Sequence, residues 1–184
     1  PATKTMQLKS TKLKEINPNE LYGDVKNKTE KPGVIYRFFK TKIYAFLYYL
    51  FHTFPVKKNR ILFLSDSRSE MGGNLQFVYE ELLKQGVNAD YKSMFKENSF
   101  VKKSLVELIQ LAYYTATARK ILIEENYPML SPLRIRKSAE LIQLWHGAGA
   151  FKKFGYSRLG QPGGPKIHSK DHRNYTKAVV SSKN

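Results

Sequence analysis

Short apolar strands alternate with amphipathic helices through the middle of this 184-residue chain, and this alternation restricts the fold more than any other feature. Arg60–Ser65 (RILFLS) is apolar enough to be a central strand of a parallel sheet. A helix at 75–85 follows, with Leu75, Val78, Leu82 and Leu83 facing inward. Further strands are predicted at 89–94, 120–124, 140–145 and 177–182, with a helix at 103–118. This order predicts an α/β fold with a parallel, doubly wound sheet and flanking helices.

The positive charge of the chain is concentrated at its two ends. The formal net charge is +17, divided as +9 over residues 1–60, −1 over 61–130 and +9 over 131–184. A basic surface attracts nucleic acid, anionic lipid or a phosphorylated substrate, and charge alone does not separate these partners. The chain contains no cysteine, which excludes disulfides and thiolate chemistry.

The sequence predicts three regions before any function is considered. Residues 1–33 are polar and lysine-rich and are predicted to form a leader or linker. Residues 34–59 contain an aromatic, cation-flanked helix, and residues 60–184 form the sheet domain. Apolar residues of the helix recur at three- and four-residue steps, but its longest uncharged run, 43–51, is too short to span a bilayer.

Such a helix suits the plane of a membrane interface, where aromatic side chains lie at headgroup depth and lysines meet anionic lipid. The residues predicted to bind the membrane are Arg37, Phe39, Lys40, Ile43, Phe46 and Leu50. The alternative is that the same helix packs on its own domain.

The stretch Glu140–Gly155 (ELIQLWHGAGAFKKFG) concentrates the candidate chemistry. His146 follows directly on a predicted strand, and Gly147 and Gly149 permit a tight turn with free backbone N–H groups. Lys152 and Lys153 lie in the first turns of the helix that follows. Ligands of open α/β sheets bind beyond the carboxyl ends of the strands. The pattern therefore indicates proton transfer by His146 next to a phosphate, against the alternative of a structural histidine.

Four segments, in this order, resemble the CDP-glycerol glycerophosphotransferase family, which primes and polymerises teichoic acids. They are FPVKKNRILFLS, GGNLQFVYEEL, LRIRKSAELIQLWHGAGAFKKFG and HRNYTKAVVSS, and the resemblance covers residues 55–184. It implies a monotopic enzyme on the cytoplasmic face of the cell membrane, with two Rossmann-like domains arranged as in GT-B transferases. This chain would be the acceptor half, and the domain that binds the cytidine nucleotide donor is expected after residue 184.

The resemblance also implies a reaction. A terminal hydroxyl of a lipid-linked polyol-phosphate acceptor attacks the β-phosphate of CDP-glycerol and releases CMP. His146 matches the catalytic base, while N–H groups at Gly147 and Gly149, with Lys152 and Lys153, offset charge on the phosphoryl oxygens. The residues expected to hold acceptor phosphates are Ser67, Arg68 and Asn74. No cofactor and no metal site is predicted, and assistance by a divalent cation stays an open alternative.

Three alternatives remain open at this point. A relative that uses CDP-ribitol would have the same acceptor half. A nucleic-acid-binding module fits the charge, but the sequence has no RNP-type aromatic motif, helix-turn-helix signature or zinc-ligand spacing. A lipid- or polymer-binding domain without catalysis is the third, and turnover in the presence of a donor domain would separate it from an enzyme.

Overall fold

Five strands form one parallel sheet at the centre of the fold. They are β1 (Lys57–Ser65), β2 (Asp90–Phe95), β3 (Ala118–Ile123), β4 (Glu140–Leu144) and β5 (Lys177–Val179), in the order β2-β1-β3-β4-β5. Every adjacent pair is parallel. The structure, a computed structural model, describes residues 33–97, 102–144 and 174–179, all within the unit Lys31–Asn184. The predicted Rossmann-like parallel α/β sheet is confirmed.

Three helices flank the sheet: α1 (Val34–Leu50), α2 (Gly73–Lys84) and α3 (Leu105–Thr117). Single 3₁₀ turns lie at Phe51–Thr53 and Pro128–Leu130. The start of α3 has a capping box, in which the Ser104 hydroxyl accepts from the Glu107 backbone N–H and the Glu107 carboxylate accepts from the Ser104 N–H. These two bonds satisfy N–H groups that have no partner within the helix.

Strand β1 is buried on both faces, which is why its sequence is continuously apolar. Ile61 and Phe63 point to one side of the sheet and pack with α2, whereas Leu62 and Leu64 point to the other side and pack with α1 and α3. Successive side chains of a strand alternate between faces, so one six-residue run supplies two cores.

Helix α1 packs against α3 through a face of tyrosines. Tyr44 and Tyr48 are fully buried. The Tyr44 hydroxyl donates to Thr115 Oγ1 at 3.2 Å, and the Tyr48 hydroxyl donates to the Arg134 carbonyl at 3.1 Å. These bonds offset the loss of water at two buried hydroxyls. The alternative that the helix packs on its own domain is therefore correct for this face. In the part of the chain that the structure describes, no helix is long and apolar enough to cross a bilayer.

The predicted element boundaries need small corrections. Strand β1 begins at Lys57, three residues before the predicted start, because Lys57 pairs with Ala118 ahead of an irregularity in the register. Leu83, predicted to face inward, is 49% exposed because the buried stripe of α2 runs through Leu75, Val78 and Leu82. The last strand is described only as far as Val179.

Candidate functional site

The candidate site lies at the carboxyl edge of the sheet, where the segments after β1 and β3 meet. Strand β1 ends at Ser65, and the chain continues through residues 66–72 to the start of α2. Strand β3 ends at Ile123 and is followed by Glu124 and Glu125. The isolated bridge between Arg68 and Lys96 also brings the end of β2 to this edge. Ligands of parallel sheets bind at such an edge, so its polar side chains are the first candidates for a site.

Arg68 is held at this edge by a buried carboxylate. Its guanidinium forms an ion pair with Glu124, whose side chain is 2% exposed while that of Arg68 is 32% exposed. Glu124 Oε2 also accepts a hydrogen bond of 3.0 Å from the backbone N–H of Asn74 in the first turn of α2. A carboxylate at a helix N-terminus is favoured by the helix dipole. Glu124 therefore fixes Arg68 against α2, while the Arg68 side chain stays partly exposed.

Gly73 allows this close approach. Its φ is +57°, in the left-handed region that favours glycine. A Cβ at this position would lie 2.7 Å from Arg68 Nη1 and 2.9 Å from Glu124 Oε2. Both the backbone angle and the ion pair therefore require glycine here. The N-cap of α2 is Gly72, and Asn74 lies in the first turn of the helix.

Ser67 belongs to a second polar group at the same edge. Its hydroxyl donates to Glu125 and lies 3.0 Å from Ser65 Oγ, while the Ser67 backbone N–H donates to Ser65 Oγ at 3.3 Å. Ser65 is buried and Ser67 is exposed. The group presents a hydroxyl and a carboxylate, which suit the hydroxyls of a polyol as hydrogen-bond partners.

A buried ion pair lies beside these two groups. Lys103 Nζ contacts Asp66 Oδ1 at 2.5 Å, and the two side chains are 4% and 10% exposed. The ammonium also lies 5.6 Å from the ring centroid of Tyr127, whose pKa is raised well above its usual value, chiefly by burial and then by the charge of Asp66. The Tyr127 side chain next to this ion pair is therefore uncharged at physiological pH.

The three predicted acceptor residues, Ser67, Arg68 and Asn74, all lie at the carboxyl edge. The other predicted residues of the catalytic centre lie outside the described residues: His146, Gly147, Gly149, Lys152 and Lys153. Strand β4, which precedes them in the chain, ends at Leu144. Their roles stay predictions.

Glu124 and Glu125, the carboxylates that organise Arg68 and Ser67, were not among the residues predicted from the sequence. The signal was available, since both directly follow the apolar strand Ala118–Ile123, as His146 follows the next strand. The local sequence does not show that Arg68 pairs with Glu124 and Ser67 with Glu125, since each pair is separated by more than fifty residues. Over 33–97, 102–144 and 174–179, no group of three or more acidic or histidine side chains is placed to hold a metal ion.

The outer face of α1 carries the residues predicted to bind a membrane. Phe46 is 68% exposed and Phe39 is 58% exposed, and Ile43 and Leu50 are also exposed. Arg37 is exposed, whereas Lys40 is only partly exposed and lies nearer the body of the domain. Exposed apolar residues next to this set extend the face: Ile35, Phe38, Tyr49 and Phe54.

Comparison with known proteins gives relatives that are named as teichoic acid enzymes. The chain is 49% identical over 181 residues to a teichoic acid poly(ribitol-phosphate) polymerase of Bacillus spizizenii, covering 98% of this chain and 29% of the relative. It is 45% identical over 130 residues to the teichoic acid ribitol-phosphate polymerase TarK of Staphylococcus aureus, covering 69% and 25%. A teichoic acid ribitol-phosphate primase of Bacillus spizizenii is 34% identical over 139 residues, covering 70% and 35%.

The chain thus spans roughly a quarter to a third of the length of these curated relatives. Residues 46–184, well over half of the chain, match the family described as CDP-Glycerol:Poly(glycerophosphate) glycerophosphotransferase. This agrees with the resemblance carried by the four sequence segments and with the parallel sheet. The chain therefore belongs to the CDP-glycerol:poly(glycerophosphate) glycerophosphotransferase family.

Proposed function

We propose that this chain is the acceptor-binding part of a teichoic acid polyol-phosphate transferase that uses CDP-ribitol. The observation that carries the proposal is the 49% identity, over 98% of the chain, to a relative named as a poly(ribitol-phosphate) polymerase. Two further relatives are also named for ribitol phosphate. The family description names glycerol phosphate instead, so CDP-glycerol is the alternative donor.

In the proposed reaction, a hydroxyl at the end of a lipid-linked acceptor attacks the β-phosphate of the CDP-polyol. The new P–O bond joins polyol phosphate to the acceptor, the bond to CMP breaks, and the hydroxyl proton passes to His146. Charge on the phosphoryl oxygens is offset by backbone N–H groups of Gly147 and Gly149 and by Lys152 and Lys153.

The described part of the edge supports a role in acceptor binding. Arg68 is partly exposed and is oriented by Glu124, which suits contact with an acceptor phosphate. Ser67 lies beside the carboxylate of Glu125, which would repel a phosphate but accept from a polyol hydroxyl. The polyol-phosphate acceptor contains both kinds of group. Asn74 presents its backbone N–H to Glu124 and so supports the guanidinium indirectly.

The donor is tested by CMP release from a protein that joins this chain to the donor-binding domain the family resemblance implies. With a lipid-linked polyol-phosphate acceptor, we expect kcat/KM for CDP-ribitol to exceed that for CDP-glycerol by at least about tenfold, since a site built for extra hydroxyls leaves polar groups unpaired with a shorter polyol. The reverse order would identify CDP-glycerol as the donor. If neither donor yields CMP, the transferase proposal is wrong and a binding role replaces it.

We also propose that the protein binds the cytoplasmic face of the membrane through α1. Large apolar side chains, among them Ile35, Phe39 and Phe46, cover its outer face at 58–74% exposure. Arg37 and Lys42 flank them and are exposed. An apolar face bordered by cations is complementary to an anionic bilayer surface.

Partitioning onto vesicles of phosphatidylcholine and phosphatidylglycerol tests the membrane surface. We expect Phe46→Ser to lower the partition coefficient by at least about tenfold, because insertion of a phenylalanine contributes about 1.5–3 kcal/mol. Phe77→Ser is the matched control, since Phe77 is 70% exposed but lies on α2. Equal partitioning of the two variants would show that α1 is not the membrane surface.

A further inference from the structure

Three lysines gather where the inner flank of α1 meets the start of α3. The Tyr36 hydroxyl donates to the Lys103 carbonyl at 3.3 Å and so joins the two elements. Lys40 Nζ lies 5.9 Å from the centroid of the Tyr36 ring, and Lys102 Nζ lies 5.6 Å from the same centroid. We name Lys40, Lys102 and Lys103 the Tyr36 lysine cluster. Its lysines come from two separate parts of the chain, so the fold and not the local sequence assembles it.

The cluster has more positive than negative charge. The carboxylate of Asp66 is already engaged by Lys103 at 2.5 Å. Among the described residues, neither Lys40 nor Lys102 forms a salt bridge. The pKa of Lys40 is lowered, first by burial and then by the positive charge of Lys103, while Asp66 acts in the opposite direction. A phosphate placed at the cluster would relieve this repulsion.

The orientation of Lys40 separates it from the cations on the outer face of α1. Lys42, two residues further along, is exposed and lies 5.4 Å from the ring centroid of Phe38 on the apolar face. Lys40 is half-buried and lies over Tyr36 on the opposite flank, towards Asp66 and the end of β1. Helix α1 therefore carries an apolar outer face and, on its inner flank, the half-buried Lys40 next to the candidate site.

We propose that the Tyr36 lysine cluster binds the phosphate linkage at the lipid end of the acceptor. This inference rests on the proposed function, which supplies a lipid-linked acceptor. A lipid anchored in the membrane under α1 would bring its first phosphate groups to the inner flank of the helix, and the polymer would continue to the carboxyl edge. Ammonium groups bind phosphate as point charges and tolerate several orientations, which suits a linkage that enters from a fluid bilayer.

The test uses the 184-residue chain and two kinds of vesicle with matched surface charge. One contains phosphatidylcholine with a polyprenyl diphosphate, and the other contains phosphatidylcholine with phosphatidylglycerol. Lys40→Gln and Lys42→Gln remove one charge each from the same helix and form a matched pair. We expect Lys40→Gln to weaken binding to the diphosphate vesicles by about tenfold relative to Lys42→Gln. On phosphatidylglycerol vesicles, Lys40→Gln should bind at least as tightly as Lys42→Gln, because Lys42 and not Lys40 lies on the outer face of α1.

Lys102→Gln extends the test to the other cluster lysine that forms no salt bridge among the described residues. It should act on the diphosphate vesicles in the same direction as Lys40→Gln. Equal effects of Lys40→Gln and Lys42→Gln on both vesicles would overturn the proposal and make Lys40 an ordinary membrane cation. A soluble polyol-phosphate oligomer that loses affinity for Lys40→Gln, while diphosphate vesicles do not, would also overturn it and place the polymer at the cluster.

The proposed function fails separately from this inference. The vesicle measurements require no turnover, so selective binding of the lipid diphosphate can stand even if no CDP-polyol yields CMP. Conversely, CMP release with an unselective Lys40→Gln variant would retain the transferase and reject the cluster. Circular dichroism of each variant excludes a loss of folding as the cause.

Discussion

Replacing Asp90 with alanine is expected to lower the free energy of unfolding by about 3 kcal/mol. Asp90 is the partner of Arg60, whose side chain is 3% exposed and so has little access to water that could accept its hydrogen bonds in place of the carboxylate. Arg60 Nε donates to Asp90 Oδ2 at 2.7 Å, and Arg60 Nη1 donates to Thr117 Oγ1 at 2.6 Å. Removal of the carboxylate leaves a buried guanidinium with a single hydroxyl as acceptor. Asp90 itself is 25% exposed, which places the expected loss at the lower end for such pairs.

The rings of Tyr113 and Tyr114 do not compensate for the lost carboxylate. Each ring centroid lies 5.2 Å from the Arg60 guanidinium carbon, and a cation–π contact at this distance contributes about 1 kcal/mol in either variant. The contacts are present before and after the substitution, so they do not change the difference.

Arg60→Met is the matched control for Asp90→Ala. It removes the buried charge but keeps an apolar chain of similar length, and Asp90 retains Lys92 at 2.8 Å. We expect the free energy of unfolding to fall by only about 1 kcal/mol, because replacing a buried charge with an apolar side chain of similar size leaves no uncompensated charge in the core. Urea denaturation of the two variants measures the difference. Equal losses would mean that the pair contributes through packing and not through the charge left behind.

The sheet could be predicted from the sequence because its central strands contain buried apolar runs. Residues 60–65 of β1 and 121–123 of β3 are buried, and strands that alternate with helices are parallel. The prediction of a parallel α/β sheet is confirmed. The start of β1 was predicted less accurately, since Lys57 pairs with Ala118, a partner that local periodicity does not contain.

The two faces of α1 show a limit of periodicity. The three- and four-residue spacing of its apolar residues predicted a helix, but it did not determine which face packs on the domain. The phenylalanine face is exposed, and the face with Tyr44 and Tyr48 is buried. Tyr44 and Tyr48 are buried because their hydroxyls reach Thr115 and Arg134, which lie 71 and 86 residues further along the chain. A buried tyrosine needs such a partner, and only the tertiary fold supplies it.

The candidate site was predictable in position and not in its pairings. The rule that ligands bind at the carboxyl ends of parallel strands led to Ser67 and Arg68, which lie there. Glu124 was missed although it follows a strand, because its role depends on meeting Arg68 and the Asn74 N–H across the sheet. Gly73, quoted only as part of a motif, is required by the same ion pair.

The strongest functional prediction concerns His146. In a protein that joins this chain to its expected donor-binding domain, His146→Ala should lower kcat for CMP release by at least about a hundredfold, because a polyol hydroxyl is a poor nucleophile at neutral pH without a base. The control is His52→Ala, since His52 lies in the turn after α1 and its ring contacts the rings of Tyr48 and Tyr49.

The profile of activity against pH distinguishes a base from a structural histidine. A general base is active when deprotonated, so the wild-type rate should rise with pH through the pKa of His146 and then level off. His146→Ala should remove that rise and lower kcat with little change in KM for the acceptor. A variant that loses acceptor affinity instead, and retains both kcat and the rise with pH, would show that His146 orients the substrate and that another group accepts the proton.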